Sequence, residues 1–367
     1  MKGSVRKRES GKWEYYFDIG SIDGKRRRKT KGGFNTKAEA SKALRDAISL
    51  FEKGIVVSNK VPYFSDFIEY YFDNYISLNT KYSTQYLYRK IIDVHLKKDL
   101  GFYKINKLTS QILQDYLNKK FNDGYSKNYI ISIKNLLNSS LRYATKVNKF
   151  IPYNPVNDVS ISNLKFKSKP KEIISRDDFI IISNFFKDRD CYYIPLTIGY
   201  HTGMRIGEIL ALKWENVDLE NQIIHVKHTL ITKPNGDTFL SDPKTKNSLR
   251  SIYIGDTLTN ILQFYKIRQC EEFGDREFVC CNWDGKNMNK KHTEYVVNSI
   301  KKKLGIKFSF HMLRHLHATL LLEGGANIKS VSTKLGHSSV KITMDTYIHN
   351  TIKMEKETVA LFEQYTV

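Results

Sequence analysis

Cysteine is scarce in this sequence, with four residues in a chain of 367 and no C-x-x-C pair among them. Small secreted domains depend on paired cysteines, and many structural zinc sites need that spacing, so neither class is indicated. The first residues, Met1–Arg6, lead into charged sequence and not into an apolar signal region. We therefore expect free thiols in a reducing compartment and a cytoplasmic protein. The cysteines are Cys191, Cys270, Cys280 and Cys281.

Several motifs of enzyme chemistry are also missing. The chain has no Walker loop for nucleotide phosphates, no H-E-x-x-H pair and no D-D-E arrangement of carboxylates. His225 and His228 lie close together, but without carboxylate or cysteine companions we interpret them as the polar face of a strand. The sequence therefore predicts chemistry without a metal or other cofactor, which separates this chain from metal-dependent transposases.

Acidic residues are few relative to basic ones: 38 Asp and Glu stand against 60 Lys and Arg, a net charge of +22. Such an excess indicates a polyanionic partner, since each phosphate that is neutralised releases condensed counterions. No apolar run is long enough to span a membrane, and no lone basic amphipathic helix indicates a membrane surface. Nucleic acid is therefore the favoured partner, and the alternative is a protein that is merely basic.

Residues 1–57 have the pattern of a small sheet with one helix. Turns at Gly11 and Asp23-Gly24 separate three short strands, and Asn35-Thr36 caps the helix that follows. Residues 1–55 carry fifteen Lys and Arg against seven Asp and Glu. A basic three-stranded face can enter the major groove of DNA, so we interpret this segment as DNA-binding; the alternative is a solvated sheet edge. The predicted strands are Ser4–Arg8, Trp13–Ile19 and Lys25–Lys31, and the predicted helix is Lys37–Lys53.

The remainder of the chain is predicted to be mainly helical. Residues 61–160 carry apolar residues at helical spacing, and residues 161–172 form a basic linker with four lysines. Residues 173–367 begin with a capping box, Ser175 to Asp178, and continue as helices with one small antiparallel sheet. We therefore expect a multidomain protein: a three-stranded sheet with a helix, an all-helical bundle, and a mainly α domain. The strand candidates of the last domain are Ile223–Leu230 and Ser251–Ile254.

Short, distinctive motifs follow one another in the last of these domains. Their order is arginine, lysine, His-x-x-Arg, histidine and tyrosine, which resembles the catalytic domain of the tyrosine recombinases, the integrase family of phages and mobile elements. The first two segments resemble the arm-binding and core-binding domains of that family, in architecture more than in motif. This layout resembles integrases of phages, pathogenicity islands and conjugative transposons. The motifs are Thr202–Glu208, Pro243–Lys246, His311–His315, Leu335–Ser339 and Thr343–His349.

The resemblance assigns Arg205 and Arg314 to the scissile phosphate. Transfer of a DNA phosphodiester places charge on two non-bridging oxygens, and guanidinium forks match that geometry better than ammonium groups do. His311 would accept or relay a proton, a task suited to a near-neutral imidazole. His337 would hydrogen-bond the phosphate in a supporting role, and Glu208 would orient Arg205 or a histidine.

The resemblance also assigns the nucleophile and the general acid. Tyr347 would attack the phosphate, and its phenol, with an ordinary pKa of about 10, must lose its proton as it does so. Tyr365 is the nearby competitor and lacks the flanking pattern. Lys244 would protonate the departing 5′-oxygen, because the family places this lysine before a small hydroxyl residue, and Lys246 is the rival.

For function, the resemblance implies a site-specific recombinase that integrates and excises a mobile DNA element. Strand exchange between attachment sites would pass through a 3′-phosphotyrosyl intermediate and a Holliday junction. The implied partners are double-stranded DNA with core and arm sites, a homotetramer that exchanges the tail Thr351–Val367, a host DNA-bending protein and an excisionase. Two alternatives stay open: a relaxing enzyme like the type IB topoisomerases, and a catalytically inert DNA-binding relative.

Overall fold

The protein is described here by a computed structural model, in which the chain divides into two compact units, Met1–Ser168 and Lys169–Val367. Within the residues that the structure describes, no helix is long and apolar enough to cross a membrane. The structure describes residues 3–22, 25–52, 61–166, 173–242, 249–336, 339–341, 344, 359 and 362–364, without the side chains of 19–22, 25–27 and 50–52.

The first unit begins with a three-stranded antiparallel sheet that is covered on one face by a helix. Its elements are β1 (Gly3–Lys7), β2 (Trp13–Ile22), β3 (Lys25–Phe34) and α1 (Lys37–Glu52), with β2 in the centre. Alternate residues of β2 lie on opposite faces, so Tyr15 and Phe17 pack with Leu44 of α1 while Tyr16 lies on the other face. The predicted sheet and helix are confirmed, although β2 ends at Ile22 and not at Ile19.

The rest of the first unit is a helical bundle around an apolar core. Its helices are α2 (Phe64–Tyr71), α3 (Ser77–Asn79), α4 (Tyr82–Ile91), α5 (Lys97–Leu100), α6 (Ser110–Asn122) and α7 (Lys127–Lys146). π-helical turns at Phe72–Ile76 and Ile92–Leu96 join α2 to α3 and α4 to α5. Thr109 and Ser126 cap α6 and α7, each accepting a hydrogen bond from a backbone N–H of the first turn. The all-helical bundle agrees with the prediction.

Over its described residues the second unit is mainly helical and carries two small antiparallel sheets. Its helices are α8 (Arg176–Phe186), α9 (Asp190–Thr202), α10 (Ile206–Leu210), α11 (Asp256–Phe273), α12 (Lys290–Leu304), α13 (Phe310–Glu323) and α14 (Ile328–Leu335). Its strands are β4 (Val217–Asp218), β5 (Ile223–Val226), β6 (Thr229–Thr232), β7 (Thr238–Ser241) and β8 (Arg250–Tyr253). The predicted capping box is present: Ser175 Oγ accepts from the Asp178 N–H, and the Asp178 carboxylate accepts from the Ser175 N–H.

The sheets of the second unit correct one prediction. The sequence predicts a single strand over Ile223–Leu230, but the structure divides it at Lys227 and His228, because β5 pairs with β4 and β8 whereas β6 pairs with β7. The apolar core of the unit includes Ile224 of β5 together with residues of α9 and α13. Strand β5 thus shares an apolar core with α13, the helix that carries Arg314.

Candidate active site

Three of the six predicted catalytic residues are described by the structure, and all three lie in the second unit. Arg205 directly precedes α10, while His311 and Arg314 lie in the first turns of α13. The other predicted residues and their rivals lie outside the described residues: Lys244, Lys246, His337, Tyr347 and Tyr365.

Arg314 is a buried cation. It is 1% exposed, and its neighbours Leu313 and Leu316 belong to the apolar core. Its Nη1 donates a hydrogen bond to the backbone carbonyl of Gly203, at 3.0 Å. Burial of a guanidinium costs free energy unless the group is hydrogen-bonded, so this contact offsets burial and fixes the direction of the side chain. The same bond joins α13 to the end of α9.

Gly203 makes this close approach possible. It ends α9 in the left-handed conformation, with φ +67°, which residues with a side chain rarely adopt. A Cβ at this position would lie 2.6 Å from Leu335 Cδ2 and 2.9 Å from His317 Cδ2. Gly203, two residues before Arg205, therefore lies where α9, α13 and the end of α14 meet.

Arg205 is only partly buried at this meeting point, with 40% of its side chain exposed. Its Nη1 donates to Glu208 Oε1 at 2.8 Å, and its backbone N–H donates to Glu208 Oε2 at 3.0 Å. Its Nη2 donates to the carbonyl oxygen of Gly336, at 3.4 Å. The protein thus fixes the direction of the guanidinium, while part of the guanidinium stays exposed to solvent. This arrangement suits Arg205 to bind an anion.

Glu208 is the buried carboxylate beneath Arg205, 5% exposed, and it has a second arginine partner. Arg250, the first residue of β8, donates from Nη2 to Glu208 Oε2 at 2.9 Å, and its side chain is 6% exposed. Burial alone would raise the pKa of Glu208, but the hydrogen bond and charge of Arg250, followed by the N–H and charge of Arg205, together hold that pKa below its ordinary value. The ionised carboxylate can therefore orient both guanidinium groups.

Sequence reasoning expected Glu208 to orient Arg205 or a histidine, and the contact with Arg205 is present. It missed Arg250. The available signal was an arginine at the edge of a predicted strand, close in sequence to the candidate lysine Lys244. That signal is weak by itself, since arginines at strand ends are common on protein surfaces.

Three histidines of α13 lie in different environments. His311 is exposed, and its ring centroid is 4.5 Å from that of His315, with the planes at 89°. His317 is buried, and its Nδ1 donates to the carbonyl of Tyr200 at 2.8 Å. Burial, aided by the positive charge of Lys334, lowers the pKa of His317 to about 4, so this imidazole is neutral near pH 7. His311 is thus the most exposed of the three imidazoles, and His317 supports the turn at Gly203.

The described part of the site offers positive charge and hydrogen-bond donors at fixed positions. Such an arrangement is suited to the non-bridging oxygens of a phosphodiester, where charge develops during transfer. Among the residues that the structure describes, no group of three or more His, Cys, Asp and Glu residues is placed to hold a metal ion.

Comparison with protein families matches three separate parts of the chain. Residues 4–49 match the Arm DNA-binding domain, residues 63–121 the phage integrase N-terminal SAM-like domain, and residues 182–354 the Phage integrase family. These matches define the class of multidomain integrases.

Two relatives illustrate how far the likeness extends. The ICEBs1 integrase of Bacillus subtilis (strain 168) is 27% identical over 376 residues, covering 96% of this chain and 97% of the relative. The integrase of Staphylococcus phage L54a is 28% identical and covers 69% of this chain and 78% of the relative.

Solved structures share the fold at lower identity. The Tn1549 transposon integrase in complex with a circular intermediate DNA has a TM-score of 0.70 at 19% identity, over 82% of this chain and 99% of that one. A lambda integrase tetramer bound to a Holliday junction has a TM-score of 0.59 at 18% identity, over 93% of this chain and 94% of that one. The predicted fold class is confirmed.

The chain belongs to the phage integrase family, the tyrosine recombinases. It is therefore a site-specific DNA recombinase, as the motifs indicated. The roles of individual residues stay predictions.

Proposed function

We propose that Tyr347 attacks a DNA phosphate held by Arg205 and Arg314 as the enzyme integrates and excises a mobile element. The observation that carries this proposal is the meeting of the two arginines at the Gly203 turn. Arg314 donates to the carbonyl of Gly203, and Arg205 follows two residues later. The guanidinium of Arg205 also contacts the carbonyl of Gly336, the residue that precedes the candidate phosphate ligand His337 in the sequence.

The proposed cleavage step is a phosphoryl transfer to a phenol. The phenolic oxygen of Tyr347 forms a bond to phosphorus while the bond from phosphorus to the 5′-oxygen breaks. The phenol gives its proton to His311, Lys244 gives a proton to the departing oxygen, and the arginines stabilise the charge on the non-bridging oxygens. His337 adds a hydrogen bond to the phosphate. The phosphotyrosyl bond conserves the energy of the phosphodiester, so a 5′-hydroxyl of the partner strand reseals the DNA without ATP.

We propose that each predicted domain contacts a different part of the DNA. The sheet face opposite α1 supports binding to arm sites, because Tyr16 lies between Arg6 and Arg28, whose guanidinium carbons are 5.6 and 5.5 Å from the ring centroid. Cations held over an aromatic ring suit the phosphates and base edges of a major groove. The proposed domains are residues 1–57 for arm sites, 61–160 for core sites, 161–172 as linker and 173–367 for catalysis.

The proposal includes a homotetramer on paired attachment sites, with a host DNA-bending protein and an excisionase as accessory partners. Lambda integrase was solved as a tetramer on a Holliday junction, which supports this assembly. In the tail of this chain, Val359 and Phe362 are exposed apolar side chains that a neighbouring protomer can cover. A chain ending at Asn350 is expected to bind DNA but not to assemble. Recombination by this shortened chain at the full-length rate would contradict tail exchange.

Tyr347→Phe tests the nucleophile. On a core site nicked close to the scissile phosphate, the fragment with the free 5′-hydroxyl is lost and the wild-type enzyme stays covalently bound to the DNA. Tyr347→Phe is expected to bind this DNA with unchanged affinity and to give no covalent complex. Tyr365→Phe and Tyr253→Phe are the controls, Tyr253 being an exposed tyrosine of the same unit. Covalent capture by Tyr347→Phe would overturn the assignment.

A change of leaving group separates Lys244 from Lys246. A 5′-bridging phosphorothiolate replaces the departing oxygen with sulfur, and a thiolate leaves without a proton because thiols are much more acidic than alcohols. The alanine variant of the true general acid is expected to cleave ordinary DNA slowly and the sulfur substrate at the wild-type rate. Rescue of Lys246→Ala, and not of Lys244→Ala, would transfer the role to Lys246.

A further inference from the structure

Arg250 occupies an unusual position for an arginine at the start of a strand. Its side chain is 6% exposed, and its Nη2 donates to the buried carboxylate of Glu208 at 2.9 Å. Its Nε donates to the backbone carbonyl of Lys334, in the last turn of α14, at 2.8 Å. One guanidinium therefore ties together β8, α10 and α14.

Two arginines, Arg205 and Arg250, donate hydrogen bonds to the carboxylate of Glu208. Oε1 accepts from Arg205 Nη1, and Oε2 accepts from Arg250 Nη2 and from the Arg205 backbone N–H. Without a fixed carboxylate, the partly exposed side chain of Arg205 would sample several rotamers, because a long side chain has several torsions of similar energy. Arg250 holds that carboxylate in place and keeps it ionised, since it lowers the pKa of Glu208 against the effect of burial.

The same two arginines contact neighbouring carbonyls at the end of α14. Arg250 binds the carbonyl of Lys334, and Arg205 contacts that of Gly336. Gly336 has φ +68° and ends the helix, and His337 is the next residue in the sequence. The cluster thus fixes both Arg205 and the end of α14.

We propose that Arg250 is a positioning residue of recombination, which aligns Arg205 through Glu208 and holds the end of α14, just before His337 in the sequence, through the carbonyl of Lys334. This inference rests on the proposed function, in which Arg205 holds the scissile phosphate. A direct DNA contact by Arg250 is disfavoured, because its side chain is buried and the cluster would have to open before the guanidinium reached a phosphate.

The test compares two linkages at the scissile position of a nicked site: the ordinary phosphate, and a methylphosphonate in which a methyl group replaces one non-bridging oxygen. The methylphosphonate is neutral, so a guanidinium that stabilises the negative charge on the replaced oxygen is no longer needed. Both stereoisomers are used, and Arg205→Ala identifies the isomer that bypasses Arg205. The variants are Arg250→Met and Arg250→Lys, with Glu208→Gln as a change that preserves size. Arg268→Met, which removes an exposed ion pair with Asp190, is the matched control.

The expected result is a selective loss on the phosphate substrate. Arg250→Met should slow covalent complex formation on the phosphate by about 10²-fold, the scale of a misplaced catalytic group. On the isomer that rescues Arg205→Ala it should react within a few-fold of the wild type. Arg250→Lys should show the same pattern with a smaller loss. Arg268→Met should match the wild type on both linkages.

Other outcomes would overturn the inference in distinguishable ways. Equal losses by Arg250→Met on both linkages, with Arg205→Ala rescued, would make Arg250 a merely structural residue and leave the proposed function intact. A wild-type rate of Arg250→Met on the phosphate would also show that Arg250 does not align Arg205, and it would leave the proposed function intact. Failure of both isomers to rescue Arg205→Ala would overturn the role of Arg205 and this inference with it. Thermal unfolding shows whether each variant folds, and if Arg250→Met does not, Glu208→Gln must show the selective loss instead.

Discussion

The two units each place a buried glutamate beneath two arginines, but they expose those arginines to different extents. In the N-terminal sheet, Glu14 is 1% exposed and binds Arg6 and Arg8, whose side chains are 67% and 54% exposed. In the second unit, Glu208 binds the partly exposed Arg205 and the buried Arg250. The same charge pattern therefore gives a basic surface in one unit and a fixed internal cluster in the other.

The difference in exposure indicates a difference in task. Exposed cations contribute to DNA binding by releasing counterions, so their effect falls as salt rises. Buried cations contribute little to diffusional encounter, but they are screened less by salt and their direction is fixed by packing. We therefore expect substitutions in the sheet to change affinity and substitutions in the second cluster to change the rate of cleavage.

Arg314→Ala is the strongest test of the buried cations of the second unit. Removal of one preorganised donor to a developing oxyanion costs about 10² to 10³ in rate, so covalent complex formation on a nicked site should fall by about 10³-fold. Affinity for the same DNA should change far less, because Arg314 is 1% exposed. Single-turnover rates and binding isotherms measure the two effects, and thermal unfolding verifies the fold. A loss of affinity as large as the loss of rate would remove the distinction between the units.

Burial should also give the second unit a pH-dependent stability. The pKa of His317 is lowered by burial to about 4, whereas an unfolded histidine has an ordinary pKa of about 6.5. As pH falls, the unfolded chain therefore binds a proton at His317 before the folded chain does. The contribution of His317 to the free energy of unfolding is fully present above pH 6.5, and it falls by about 3 kcal/mol as pH decreases from 6.5 to 4.

His317→Asn should remove this dependence. The amide can still donate to the carbonyl of Tyr200 but does not titrate. Denaturant unfolding between pH 4 and 7 should show a slope smaller by about 1.4 kcal/mol per pH unit in the variant. An unchanged slope would mean that His317 does not titrate as its burial requires.

Matched substitutions of the two glutamates compare the units directly. Glu208→Gln should slow cleavage by about 10²-fold at saturating DNA, because it loosens Arg205. Glu14→Gln should leave that rate unchanged and alter only arm-site affinity, since Arg6 and Arg8 no longer share a buried anion. A slower cleavage rate in Glu14→Gln would show that the sheet takes part in more than binding.

Arg28→Ala should give the smallest effect. Arg28 lies over one face of Tyr16 on the exposed side of the sheet. Its removal should reduce the slope of log affinity against log salt by about one and weaken arm-site binding without a change in cleavage rate. Titrations at several salt concentrations measure the slope. An unchanged slope would mean that this face does not contact phosphates.

Local patterns were predictable from the sequence, because each depends on residues close together in the chain. The cap at Thr109 and the capping box at Ser175 each need a neighbour three residues away, and both are present. The arginines Arg205 and Arg314 were recognisable because each lies within a short motif. Family membership followed from the order of such motifs.

Long-range partnerships were not predictable. Arg250 escaped notice because Glu208 lies 42 residues before it and Lys334 lies 84 residues after it. The division of Ile223–Leu230 into two strands was missed for a related reason, since β5 finds its partner β8 beyond the β6–β7 hairpin. A strand pattern indicates extended backbone but not which partner each part pairs with.

The central claim, that Tyr347 forms the bond to DNA, is tested most directly by mapping the linked peptide. Cleavage after lysine would release residues 342–353, which contain Tyr347 as their only tyrosine, and residues 357–367, which contain Tyr365. After covalent capture, nuclease digestion and mass spectrometry, the account predicts a nucleotide remnant on the 342–353 peptide. A remnant on the 357–367 peptide, or on a peptide from elsewhere in the chain, would contradict it.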